Sequence, residues 1–108
     1  MSNKTTVFDN ELQFRTYVSM LPISIEKQQE IIEHEKAHYE TAQRLGYSAK
    51  YAIEEAKSLG GFRKYRGSVI YDPEVTNPEH IRQIISAPES LSQDDKKDLE
   101  EILGEPAI

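Results

Sequence analysis

The chain reads as a single small α+β domain in which one long helix packs on a small β-sheet or hairpin and C-terminal helices follow. Three observations predict this. Residues 25–45 carry apolar side chains at helical spacing between a serine and a glycine. Residues 50–72 alternate as strands do on either side of Gly60-Gly61. The 108 residues suffice for one compact domain and not for two.

Residues 1–24 are expected as an N-terminal arm. Val7, Phe8, Leu12, Phe14, Tyr17, Val18 and Leu21 stand among polar neighbours over residues 1–21, which predicts a lead-in helix or extended segment that packs on the core. Pro22 closes it. Ser24 suits the N-cap of a helix from about Ile25 to Leu45, and Gly46 suits its C-terminal cap.

The next stretch admits two readings. SAKYAIEEAKSLGG has the alanine and glutamate content of a helix, yet Tyr51, Ile53, Glu55 and Lys57 alternate as in a strand. FRKYRGSVIYD alternates and is aromatic and β-branched, so a hairpin is preferred for the whole stretch. Asn77-Pro78 then starts a short helix carrying Ile81, Ile84 and Ile85, and Ala87-Pro88 stops it. Ser92 and Asp95 resemble a capping box and open a last helix bearing Leu99, Ile102 and Leu103. The main domain is placed at residues 25–103, with a tail at 104–108.

Composition narrows the chemistry. The apolar share of 37%, raised little by five glycines, falls under the usual ~45–50%, which predicts a thin core that a bound metal would reinforce. With no cysteine there is neither a disulfide scaffold nor a thiolate cluster, and imidazole and carboxylate are the strong ligands left. That fits a reducing compartment. No apolar run approaches the ~20 residues of a membrane span, and MSNKTTVFDN lacks a signal-like profile, so a soluble cytoplasmic protein is expected. A net charge of −6 disfavours nucleic acid, whose backbone calls for a dense basic surface. The basic cluster Arg63-Lys64-Tyr65-Arg66 reads as a solvated strand edge.

IIEHEKAHYE carries the sharpest motif. Side chains at i and i+4 on a helix stand one above the other, about 6 Å apart, so His34 and His38 can both aim a ring nitrogen at one ion. Glu35 is rotated about 100° from His34, near enough to take a proton from a zinc-bound water without ligating. These are the mechanics of H-E-x-x-H. Ile31, His38, Ala42 and Leu45 follow the 3.6-residue period, which turns the histidines inward. Histidines in an acidic helix are also satisfied without a metal, but a buried pair needs partners.

A catalytic zinc takes a third protein ligand and leaves one open position. The candidates are Glu54, Glu55, Asp72, Glu74, His80, Asp94, Asp95 and Asp98. Asp95 is the choice, because it lies one turn before Leu99 and two before Ile102 on the inward stripe of the last helix, with Asp98 in reserve. An acidic residue in a first turn is also favoured by the helix dipole alone. His80 is expected at the surface. Tyr39, Tyr51, Tyr65 and His80 are open candidates for oxyanion stabilisation.

HEKAHYETAQRLGY, then FRKYRGSVIYD, then IISAPESLSQDDKKDLEEIL, together spanning roughly residues 25–103, resemble the peptidase domain of the membrane-anchored, ATP-dependent zinc protease family, especially its small stand-alone relatives. The resemblance implies that His34 and His38 bind zinc, that Glu35 is the general base and that Asp95 is the third ligand. This chain has Ala37 where that family has glycine, and a much shorter segment between strands and third ligand. A fainter resemblance to the minigluzincins implies Glu54 or Glu55 as third ligand, and requires residues 48–59 to be helical.

The expected function is zinc-dependent hydrolysis of peptide bonds in peptides or unfolded proteins, with Zn2+ held by His34, His38 and Asp95. A non-catalytic interaction or regulatory module on the same fold is the competing expectation.

Overall fold

The computed structural model describes residues 3–57, 60–61, 63–88 and 95–96. Its elements are β1 (Asn3–Phe8), α1 (Glu11–Ser19), α2 (Ile25–Arg44), β2 (Ser48–Lys57), β3 (Arg63–Asp72) and α3 (Pro78–Ile85). The strands form one antiparallel sheet in the order β1-β2-β3. The architecture is α+β, as expected.

The hairpin reading of residues 50–72 holds. β2 pairs with β3 from Ser48 opposite Asp72 to Lys57 opposite Arg63, and Gly60 and Gly61 take the left-handed φ values of 98° and 82° in the connection. Alternation decides against a helix here: it places Tyr51 and Ile53 on the inner face, where they are 0% and 1% exposed, and β3 supplies the partner that helix propensity cannot provide.

The lead-in over residues 1–21 packs on the core as a strand and a helix. β1 lies antiparallel to β2, with Phe8 opposite Tyr51 on the inner face. Asn10 accepts a hydrogen bond from the Gln13 amide and starts α1, whose Phe14 and Val18 are fully buried.

α2 is bounded as its caps dictate. The Ser24 hydroxyl accepts from the Lys27 amide at 3.1 Å. At the other end Tyr47 N–H donates to the Ala42 carbonyl and Gly46 N–H to the Gln43 carbonyl, both at 3.0 Å, the paired bonds of a Schellman cap with Gly46 at φ 96°. Ile31 and Ile32 of α2 join Phe8, Phe14, Val18, Leu21, Tyr51 and Ile53 in the core. At its centre the Tyr51 ring is held between Phe14 of α1, at 4.5 Å and 17°, and Tyr39 of α2, at 4.4 Å and 11°.

A cis Asp72-Pro73 bond leads out of β3. Asn77 caps α3 by accepting from the amides of Glu79 and His80, with Pro78 in the first turn. α3 packs against α2, and Tyr47, just past the end of α2, is hydrogen-bonded to His80 Nδ1 at 2.7 Å. His80 is therefore a half-buried tether rather than a surface histidine. Asp95 and Lys96 are helical; the rest of the expected last helix and the tail at 104–108 lie outside the described residues. Among the described residues no helix is long and apolar enough to cross a membrane.

The Tyr51 hydroxyl is buried with no hydrogen-bond partner among the described residues, and burial pushes its pKa up so that it stays neutral. An unpaired buried hydroxyl costs about 1–3 kcal/mol. Tyr51→Phe is accordingly expected to leave stability to urea unchanged or to raise it by about 1 kcal/mol; a clear loss would show that the hydroxyl is bonded.

Candidate metal centre

The seating of α2 on the sheet sets the site. Ile31 and Glu35 rest on the backbone of Gly67 in β3, which turns His34 and His38 toward α3 and Asp95. His38 is 5% and Asp95 9% exposed, and His34 is half-buried. Three residues of two distant segments thus converge, and among the described residues they form the one group able to hold a metal ion, with ligand atoms within 4.8 Å of one another.

The distances resolve into two kinds. His34 Nε2 and His38 Nε2 are 3.2 Å apart, and His38 Nε2 lies 3.4 Å from Asp95 Oδ1. Zinc bonds of ~2.0–2.1 Å at tetrahedral angles place ligand atoms ~3.3–3.4 Å apart, so both distances match edges of a zinc tetrahedron. The third, His34 Nε2 to Asp95 Oδ2 at 2.7 Å, is a direct hydrogen bond. Two imidazoles and a carboxylate are the donor set zinc favours where cysteine is absent.

Proton bookkeeping reinforces the fit. His38 Nδ1 lies 2.7 Å from the Ile84 carbonyl, which can only accept, so Nδ1 carries the proton and the Nε2 lone pair points at His34. If His34 donates from Nε2 to Asp95, two ring nitrogens face each other with no proton between them. A cation at that point would satisfy both nitrogens and the carboxylate. In its absence the charge comes as a proton: burial alone would lower the His38 pKa, but the Asp95 carboxylate and the Ile84 carbonyl outweigh it and raise the value above the ordinary 6.5.

Glu35 stands beside this trio without belonging to it. The side chain is 7% exposed, and burial lifts its pKa above the ordinary 4.5 although the nearby His38 and His34 pull it down. A carboxyl group displaced upward beside two imidazoles and a carboxylate suits a group that accepts and returns a proton.

The other candidates go elsewhere. Glu54 and Glu55 belong to β2, not to a helix, and pair with Arg66 at 2.6 Å and Arg63 at 3.3 Å, which corrects the glutamate-ligand alternative. Asp72 and Glu74 are exposed. Asp94 and Asp98 lie outside the described residues. Tyr39 and Tyr51 are engaged in the aromatic stack and His80 in the tether to Tyr47, while Tyr65 packs against the core from β3. Two partners went unforeseen. The Ile84 carbonyl has no side-chain signature at all. Gly67 does: a glycine inside a strand-forming run signals a close approach.

Compared with family models, curated proteins and solved structures, the chain matches none. The functional reading accordingly rests on the geometry of the site.

Without metal, raised pKa values at Glu35 and His38 both favour the protonated fold, so their stabilisation is complete below the unfolded values and is lost as pH rises through the folded ones. Zinc would require His38 deprotonated at Nε2 and so would act with the opposite sign. Thermal melting with zinc and with a chelator, followed from pH 5.5 to pH 8, is expected to show a gap that widens as pH rises, and a gap independent of pH would contradict the assignment.

Proposed function

We propose that this chain is a compact zinc-dependent peptidase whose metal is held by His34, His38 and Asp95. The observation that carries the reading is the convergence of these three donors beside the buried carboxyl group of Glu35. A zinc held there would supply Lewis-acid chemistry, polarising a scissile carbonyl and lowering the pKa of a water near it.

The chain's own residues supply the remainder. The Ile84 carbonyl fixes the tautomer and rotation of His38, keeping Nε2 free to ligate. Glu35 accepts the proton from the attacking water and returns it to the leaving amine. Its burial keeps bulk water from competing for that proton. β3 pairs with β2 along one edge, and no described strand pairs with its other edge. That edge suits an extended peptide or an unfolded segment, which would add as a further strand beneath α2. Arg63 and Arg66 are paired with Glu55 and Glu54 rather than gathered into a basic surface, in keeping with a peptide rather than a nucleic-acid partner. A cysteine-free chain fits a cytoplasmic setting.

A second reading, a non-catalytic interaction or regulatory module of the same fold, is favoured by the direct 2.7 Å contact between His34 and Asp95, which lets the trio close on a proton instead of a metal. Elemental analysis of protein purified without chelators separates the two, since the peptidase requires about one zinc per chain. Hydrolysis of an unstructured protein then tests the chemistry. Glu35→Gln is expected to retain zinc and to lose about 10²–10⁴-fold in rate; activity equal to the native chain's would exclude Glu35 as the base.

A further inference from the structure

Gly67 interrupts a run of strand-forming residues, and its backbone does not explain why. Its φ is not among the positive values, which belong to Gly46, Gly60 and Gly61. Any residue could adopt that conformation. Space forbids it: a Cβ at this position would stand 2.7 Å from Glu35 Cγ, 2.9 Å from Ile31 Cγ2 and 3.1 Å from Glu35 Oε2. Contacts under 3.0 Å force a shift, and two of these, to Glu35 Cγ and Ile31 Cγ2, fall below that limit, while the third is a tight approach to the Glu35 carboxylate.

We infer that Gly67 is the positioning residue for the Glu35 carboxylate, an inference that rests on the peptidase reading. The Glu35 side chain lies along the bare strand, so β3 sets the course of its methylenes and hence the place of its carboxylate. Gly67 is paired with Ile53 in the antiparallel ladder, which holds that stretch of β3 in the sheet. The nearest atoms belong to Glu35 and Ile31 and not to His34, His38 or Asp95. An added methyl therefore acts on the base and its packing neighbour, while the ligands keep each other and the Ile84 carbonyl.

The test is Gly67→Ala in the full chain. It should keep about one zinc and a KM close to native, while kcat falls about a hundredfold, the scale of an ångström's misplacement of a catalytic group. Combined with Glu35→Gln it should cost nothing beyond Glu35→Gln alone, because a base already removed cannot be misplaced. Losses that multiply, or an unchanged kcat, would overturn the positioning role.

Melting supplies a readout free of catalysis. Gly67→Ala should lower Tm by several degrees, and adding Glu35→Ala should restore most of the loss by vacating the contested space. If Gly67→Ala alone does not fold, recovery of a folded chain in the double variant supports the contact, and failure of both variants overturns it. A native chain that binds zinc but cleaves nothing would sink the peptidase reading, while the melting comparison would still decide whether Gly67 holds Glu35.

Discussion

Two imidazole nitrogens and a carboxylate converge on one point, where a proton or a cation can be shared among them, and the surrounding elements hold the three groups there. His34 and His38 stand one helical turn apart on α2, and Asp95 arrives from 61 positions beyond His34. The Ile84 carbonyl removes the alternative tautomer of His38. A proton is shared in one hydrogen bond, between His34 and Asp95. A zinc ion would draw on all three groups once that 2.7 Å pair opened, and would have a coordination position left over.

The sheet contributes position rather than chemistry. α2 crosses β3 at its one side-chain-free residue, and that crossing rotates the histidines off the sheet and toward α3. Behind them the stack of Phe14, Tyr51 and Tyr39 ties α1, β2 and α2 into one body, so the helix that carries the site has little freedom to roll. α3 is held at both ends of its contact with α2, by His80 on Tyr47 and by the Ile84 carbonyl on His38. A ligand set built across α2 and residue 95 also links segments distant in sequence, so an ion there would reinforce a chain with a modest apolar content.

Much of this was legible before any coordinates, because local chemistry dictated it. Ser24, Gly46 and Asn77-Pro78 cap helices where their side chains and backbone freedom require, and the alternation around Gly60-Gly61 made a hairpin. H-E-x-x-H exposed two of the three converging residues, and the inward stripe expected of a last helix singled out Asp95. What stayed hidden depends on tertiary partners. NKTTVF has the β-branched content of a strand but too little apolar alternation to declare itself until β2 stands beside it. The Ile84 carbonyl is backbone, and every residue has one. His80 looked like a surface residue because nothing local shows that Tyr47, just past the far end of another helix, reaches it. Gly67 carried a visible signal whose meaning needed α2 on top of it.

Whether His34, His38 and Asp95 meet at a zinc ion is tested most directly by anomalous scattering at the zinc absorption edge, measured on crystals of the native chain grown without added metal or chelator. A single strong peak bonded to Nε2 of both histidines and to an oxygen of Asp95 is expected. A chain folded as described, with no anomalous peak at that point and the His34–Asp95 hydrogen bond closed across it, would contradict it.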